Sequence, residues 1–585
     1  MSDTVINSTS NVVYIDLTNE TSKIVQRPDL FDRYIGGTGV ATQLLDEGFK
    51  EDKDALDPEA PIVLSIGPFS GIYPCCTKAV AMFRSPLTGE LGESYAGGRI
   101  ATAMRFAGYD SIVITGKAKR PVYLSLHDGN IIFKDATSIW GLSSTVDVGK
   151  ILRDAEPYSG RRSIIRIGPA GEKGVKYANV NVDTYRHFGR LGLGAVFGSK
   201  NLKAIVLSGD EELQVGDKKG YNKQYKQLYH KVVNTDLMEK YHDLGTTVNV
   251  NVLNEINALP TRNFQQTNFE YAENISGENL GDNYLIRKLS CAGCPIGCIH
   301  VAMLKKLFSN SHDVEVSDIP YDYELVYALG TNLGLTEPED VLELIDSCER
   351  QGVDIISMGV VLAWATEMSM KEEISTDETM GITLKWGDIN NFLHAVDLIS
   401  KSPNEFYSAL AEGVAVASEK YGGQDFAMQL GGLEVPGYHT GLGNVVGLTT
   451  GVRHSHHDNA GYSADQKASK SGLSDEEIID QLIAEDDVRG VLNSLVICLF
   501  ARKVYTPEVI VDALKPLGIE KSEEELDKIG TEIFMKKYEL KQKFGFNLDN
   551  VKLPKRFFET ASTNGIIDKE RVENALEIYK NKRGF

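Results

Sequence analysis

An α+β fold of three domains is predicted by two changes of texture along this 585-residue chain. Up to about residue 210 the sequence is dense in glycine and in short β-type runs ended by Gly, Pro or Asp, as half-buried strands are. From about residue 217 apolar residues recur at three- and four-residue spacing, the pattern of helices with one buried face. Two joins separate these textures: a polar, charged stretch at residues 210–219 and a glycine-rich one at 422–429. The division is a β-rich N-terminal domain (residues 1–212), a helical domain (213–422) and a mainly helical C-terminal domain (423–585), in keeping with a chain too long for one core.

Strands are expected at residues 61–66, 110–115, 122–126 and 203–207. A weak internal echo links Ser65-Ile-Gly-Pro-Phe-Ser-Gly71 to Arg166-Ile-Gly-Pro-Ala-Gly-Glu172, each a strand running into a Gly-Pro turn. It marks either two related halves or a coincidence of two short matches. Helices are expected at residues 221–238, 338–350, 391–415 and 569–582.

The formal charge of −21 argues against nucleic acid and against insertion at an anionic membrane. No apolar run approaches the length of a membrane span, and residues 1–20 lack the basic and apolar regions of a signal peptide. Seven cysteines, an odd number without a disulfide-like framework, fit a reducing compartment, so a cytoplasmic location is expected.

The residues richest in chemistry are Cys291-Ala-Gly-Cys294-Pro-Ile-Gly-Cys298, joined by the distant Cys498. Thiolates bind soft metals, and four of them close one iron–sulfur cluster. A structural zinc site would also take four cysteines, but zinc more often uses two paired Cys-x-x-Cys knuckles, and Cys498 has no second thiol beside it. A cluster implies electron transfer and hence an oxidoreductase. Cys75, Cys76 and Cys348 lack partners at ligand spacing and read as small buried residues.

Three glycine-rich loops stand out: residues 35–39, residues 84–99 and Gly189-Arg-Leu-Gly-Leu-Gly-Ala-Val-Phe-Gly198. The last is one residue longer than a dinucleotide fingerprint and lacks a phosphate loop's Gly-Lys. Two of the three carry basic residues, which suits a large phosphorylated cofactor lying across a β-rich domain. Glycines that merely turn tight strands are the equal alternative.

Taken in order, Ser85-Pro-Leu-Thr-Gly89, Arg105-Phe-Ala-Gly-Tyr-Asp110, Ile167-Gly-Pro-Ala-Gly-Glu172, Gly194-Ala-Val-Phe-Gly-Ser-Lys-Asn-Leu-Lys-Ala-Ile205, Cys291 to Cys298, Ala328-Leu-Gly-Thr-Asn-Leu-Gly334 and Leu553-Pro-Lys-Arg-Phe-Phe558 closely resemble the tungsten-containing aldehyde:ferredoxin oxidoreductases. The resemblance runs in one order across nearly the whole chain. It implies an N-terminal base under two tungstopterins whose sulfurs hold the metal, covered by two helical domains. It also implies Mg2+ on the pterin phosphates, held by main-chain carbonyls at positions matching Tyr95 and His187, with Lys78 and Arg186 facing the phosphates. Lys78 stands where the family has arginine, so a forked contact becomes a point charge. The two pterin-holding D-x-x-G-x-(C/D) segments read Glu349-Arg-Gln-Gly352-Val-Asp354 and Asn493-Ser-Leu-Val496-Ile-Cys498 here, both altered. Glu349, Asp354 and Asn493 are the cofactor contacts carried over from them.

Aldehyde oxidation releases protons, so an acid/base is needed beside the metal. The resemblance points to Glu324 of Asp322-Tyr-Glu324, with Asp322 as the bland alternative, and to a histidine of Arg453-His-Ser-His-His-Asp458. The match favours His457, and a one-residue slip makes it His456; His454 reads as structural. Neighbours on an extended segment face opposite sides, so one of the pair is expected to face the substrate. A proton-carrying histidine would place a limb of the pH–rate profile near neutrality. Glu343 and His394 match residues that bind an interface iron in some relatives, but the Glu-x-x-His pattern is incomplete here. The expected function is oxidation of aldehydes to carboxylic acids, or the reverse. Electrons would pass through a [4Fe-4S] cluster to ferredoxin or a ferredoxin-like iron–sulfur subunit, in a homo-oligomer or complex. The same cofactors acting on a 2-oxo acid or another carbonyl within a multi-subunit assembly is the nearest alternative, and a non-catalytic electron-transfer subunit a remote one.

Overall fold

The computed structural model describes residues 10–127, 129–157, 161–213, 215–308 and 313–585. Its first twelve strands form two six-stranded sheets of one design. The first sheet comprises β1 (Asn11–Asp16), β2 (Thr21–Gln26), β3 (Ile62–Ser65), β4 (Ala79–Arg84), β5 (Leu91–Ala96) and β6 (Ser111–Thr115). The second comprises β7 (Val122–His127), β8 (Asn130–Asp135), β9 (Ser163–Arg166), β10 (Val180–Val182), β11 (Arg186–Phe188) and β12 (Leu202–Ser208). Their orders are β2-β1-β6-β3-β4-β5 and β8-β7-β12-β9-β10-β11, which coincide when six is added to each strand number. The directions coincide as well: β1–β6 and β7–β12 are parallel, and every other neighbouring pair is antiparallel.

The Gly-Pro echo falls after β3 in one sheet and after β9 in the other, the same place in each. The domain is therefore built from two related halves, and coincidence no longer explains the match. The edge strands β5 and β11, also equivalent, touch each other. They carry Tyr95 and His187, so the two residues expected at the phosphates face one seam from symmetric positions.

All four expected strands are present, lengthened or trimmed by one or two residues. The central β3 and β12 are buried along their whole length, as strands covered on both faces are, and Lys203 of β12 is tolerated there by its ion pair with Glu172.

Beyond β12 the chain is mainly helical. A three-stranded antiparallel sheet of β13 (Leu285–Leu289), β14 (Ile299–Phe308) and β15 (Asp313–Tyr321) interrupts it, and the cysteine loop is the β13–β14 connection. The helices that position the site are α1 (Tyr323–Leu329), α2 (Pro338–Gln351), α3 (Ile355–Met370), α4 (His456–Asn459) and α5 (Asp475–Ser494). Helix α3 is buried on all sides up to Met368, which its nearly unbroken apolar sequence permits.

Two expected helices are divided. Residues 391–415 fall in three helices, Ile389–Lys401, Glu405–Ala411 and Val414–Tyr421. Ser402 is left-handed at φ 47° ahead of Pro403, and Gly413 sits at φ 98°, so the apolar spacing continues while the axis turns. Residues 221–238 break after Val233, and a new helix starts at Asp236. Among the described residues no helix is long and apolar enough to cross a membrane; residues 1–9 of the N-terminal stretch considered above lie outside them.

Candidate active site and cluster loop

The cysteine loop turns on two left-handed glycines, Gly293 (φ 77°) and Gly297 (φ 68°). Ala292 N–H donates to the Gly98 carbonyl at 2.9 Å, pinning the loop to the residues just after β5. Gly97 is glycine for a visible reason: a Cβ there would lie 2.7 Å from Cys291 Sγ. Cys498 arrives from the end of α5 and donates its N–H to the Cys75 carbonyl at 2.9 Å. Arg186 Nη2 reaches Cys298 Sγ at 3.3 Å. Burial works against the Cys291 thiolate, but Arg186 and Lys78 outweigh it and hold that thiol below its ordinary range. Burial pushes Cys298 up to about 11. The thiols sense one another's charge, yet no three His, Cys, Asp or Glu side chains among the described residues are grouped to hold one metal ion.

Next to the loop lies a cationic cradle. His187 Nε2 is 2.7 Å from Glu349 Oε2 and 2.8 Å from Asn181 Nδ2. Glu349 lies in the last turn of α2. Gly352 closes that helix at φ 76°, and Asp354 caps α3 by accepting from Ile356 N–H at 3.1 Å. The first altered segment is thus a helix-to-helix turn whose glycine is required by its left-handed backbone. In the second, Asn493 sits one residue before the end of α5, and Val496 occupies φ 52° where the family has glycine. A β-branched residue in that region is strained by about 1–2 kcal/mol.

Asp354 Oδ2 accepts from Arg190 Nε at 2.8 Å and from Ser357 Oγ at 2.7 Å, so the carboxylate anchors a part-buried arginine. Arg190 is one of the basic residues of the Gly189–Gly198 loop that the sequence sets toward an anionic ligand; its pairing with Asp354 is what the sequence does not show. Buried polar atoms without a hydrogen-bond partner among the described residues cluster here: Arg186 Nε, Arg190 Nη1, Asn181 Oδ1, Glu324 Oε1 and His456 Nδ1. Orphaned cationic donors in a buried space fit an anionic, hydrogen-bonding cofactor.

The glycines of the three loops mostly serve packing. A Cβ at Gly37 would lie 2.4 Å from the Asn493 carbonyl, one at Gly192 1.9 Å from the Lys176 carbonyl and one at Gly198 1.9 Å from the Gly171 carbonyl. The tight-turn alternative explains them, while the basic side chains nearby keep the ligand reading.

Opposite the cradle stands the expected acid/base group. Asp322 caps α1, accepting from Leu325 N–H at 3.3 Å, which occupies it structurally. Glu324, in the first turn of that helix, accepts from Gly437 N–H at 3.1 Å through Oε2 and leaves Oε1 without a donor. His456 Nε2 stands 3.4 Å from that oxygen, too poorly directed for a hydrogen bond. Burial raises Glu324 from the ordinary 4.5 to about 8, against the opposing Gly437 N–H and with help from Asp322. Burial, with Arg190 and Arg453 nearby, lowers His456 to about 3.

The histidines do not lie on an extended segment. Ser455 caps the short α4 in a capping box, and the rings of His456 and His457 stand 3.9 Å apart on the same side. It is His456, not the favoured His457, that meets Glu324; His457 keeps its ring accessible beside it. Tyr438 and Tyr462, stacked at 4.5 Å, wall the pair on one side. His454 is structural as expected, bonded to the Leu448 carbonyl and packed into a buried Glu90–Lys541 pair. Glu343 is taken by Lys306 at 2.5 Å, and His394 is exposed.

The sequence matches two family models, aldehyde ferredoxin oxidoreductase N-terminal domain over residues 12–209 and aldehyde ferredoxin oxidoreductase domains 2 and 3 over residues 223–585. It is 33% identical over 580 residues to a tungsten-containing aldehyde ferredoxin oxidoreductase of Pyrococcus furiosus, covering 95% of this chain and 93% of that one. A protein of the same description from Thermococcus kodakarensis is 32% identical, with 95% and 93% covered. An aliphatic sulfonate oxidoreductase, WOR-like subunit, of Pyrococcus furiosus is 31% identical over 69% of this chain and 66% of its own length. In structure the chain is similar to the active site complex BamBC of benzoyl coenzyme A reductase in complex with 1,5 dienoyl-CoA. That likeness has a TM-score of 0.82 at 18% identity, with 99% and 95% covered.

Proposed function

Because this chain belongs to the aldehyde ferredoxin oxidoreductase family and is an oxidoreductase of that kind, we propose that it is a tungstopterin enzyme oxidising aldehydes to carboxylic acids. The electrons leave through a [4Fe-4S] cluster on Cys291, Cys294, Cys298 and Cys498 to a ferredoxin or a ferredoxin-like subunit. The observation that carries the reading is the set of orphaned donors, Arg186 Nε and Arg190 Nη1, in one buried space with the donor-free Glu324 Oε1 and beside four thiols.

Lys78 and Arg186, with the main chain at Tyr95 and His187, would hold the pterin phosphates and their Mg2+. Glu349 and Asn493 would take the pterin rings, and Asp354 acts through Arg190. When bound, the tungsten supplies the two-electron acceptor beside the aldehyde carbon. An aldehyde and water give a carboxylic acid, two protons and two electrons, so the protein must carry protons away. Glu324 Oε1 takes one. Its value near 8 lets it accept and release protons close to neutral pH. His456, held neutral by burial, stands beside Glu324 Oε1 as an uncharged orienting neighbour, and His457 presents its accessible ring to the substrate. Tyr438 and Tyr462 exclude water from this side.

All seven cysteines are unpaired, which supports a reducing, cytoplasmic setting. The likeness to a WOR-like subunit supports an assembly with an iron–sulfur partner subunit. A substrate screen of the purified protein with a viologen acceptor tests the reading. Turnover of aldehydes supports it; turnover confined to 2-oxo acids or other carbonyls moves the protein to the alternative substrate class.

A further inference from the structure

Two cysteines follow Pro74, and only one of them faces the cluster loop. Cys76 Sγ turns away, 3.6 Å from the Pro74 carbonyl and 3.5 Å from Tyr505 Oη. Cys75 Sγ lies 3.7 Å from Cys294 Sγ, although 219 residues separate the two. The approach is held from both sides. Cys75 N–H donates to the Gly293 carbonyl at 3.3 Å, and its own carbonyl accepts from Cys498 N–H at 2.9 Å, so this residue stitches the two cysteine-bearing segments together. It does so at φ 66°, a left-handed backbone that costs a residue with a side chain about 1–2 kcal/mol. Cys75 is wholly buried, at 0% exposure. Strain kept at a buried position that aims a thiol at a ligand thiol points to a role beyond packing.

Resting on the cluster reading above, we propose that Cys75 donates an S–H···S hydrogen bond to the iron-bound sulfur of Cys294 and thereby sets the reduction potential of the cluster. A thiol is a weak donor, but an iron-bound thiolate is a charged acceptor, and bonds to charged acceptors are the stronger ones. Hydrogen bonds to cluster sulfurs favour the more negative, reduced state and raise the potential. Cys75 is thus a positioning and tuning residue and not a fifth ligand.

The test is an EPR-monitored redox titration of the purified holoenzyme and of Cys75→Ala and Cys75→Ser, with iron and tungsten measured on each. Cys75→Ala is expected to keep its iron and tungsten and to shift toward the oxidised form about tenfold at fixed potential, about 59 mV lower for one electron. Cys75→Ser keeps an O–H donor and is expected to stay near wild type. An unchanged midpoint in Cys75→Ala overturns the proposal, as does a serine variant shifted as far as alanine, which would mark packing. Loss of the cluster in both variants makes Cys75 a ligand and overturns it too. A wild-type protein holding no cluster defeats the cluster reading itself, an outcome distinct from all of these.

Discussion

Glu324→Gln removes the proton acceptor while keeping the size and the bond from Gly437 N–H. In the native protein burial lifts Glu324 from 4.5 to about 8; at about 1.36 kcal/mol per unit, ionising it costs about 5 kcal/mol more than in water. That cost keeps the group titrating near working pH and makes it a competent base. The variant should lose about 10²- to 10⁴-fold in kcat with tungsten and iron unchanged, and the wild-type limb rising with pH to about 8 should vanish. The same shift has a stability consequence of definite sign. Glu324's contribution is fully present below about pH 4.5 and is lost progressively up to about pH 8, so the Tm advantage of Glu324→Gln should grow between about pH 4.5 and about pH 8 and level off above it. Steady-state assays across pH with a viologen acceptor, and thermal scans over the same range, measure both. A near-normal rate with the limb intact, and Asp322→Asn inactive instead, refutes the assignment.

Cys294→Ser should abolish the visible absorption and EPR signal of the cluster while tungsten is largely retained, because an alkoxide is a poor match for soft iron; Cys348→Ser should leave both signals alone. His456→Asn should lower kcat by about 10²-fold and His457→Asn by less, since only His456 reaches Glu324; the reverse order restores His457 to the central role. With His456 held near 3, no histidine limb is expected near neutrality, and one that survives in Glu324→Gln contradicts the buried-neutral account. Gly352→Ala should weaken pterin retention and destabilise the protein by about 1–2 kcal/mol, because the new Cβ must adopt φ 76° and meets Gly168 N at 3.0 Å; differential scanning and tungsten content check it.

Local pattern carried much of the fold. The β-type runs at 62–65 and 202–208 are strands because they are apolar and bounded by turn residues, and the Gly-Pro echo, which the sequence leaves as either duplication or coincidence, falls at equivalent places in the two sheets. The missed helix breaks were also local: Pro403 and Gly413 turn the axis without disturbing the apolar spacing that was read as one helix. What no local pattern contains is convergence. Glu324 and His456 meet across 132 residues, and Cys75 and Cys294 across 219, through packing that spacing cannot foretell. Cys75 was read as a small buried residue for that reason. Arg190 stood out as a basic residue of its loop, but its partner Asp354 lies 164 residues away. The cysteine triplet was legible because its ligands are close in sequence, and the acid/base residues were legible only through resemblance.

The central claim, a tungstopterin oxidoreductase with one cubane, is tested most directly by elemental analysis of protein purified without oxygen. About one W and about four Fe per chain are expected, with no stoichiometric zinc, following from one pterin-held metal and one four-cysteine cluster. About one Zn per chain with neither iron nor tungsten would contradict it, and would return the four cysteines to a structural site.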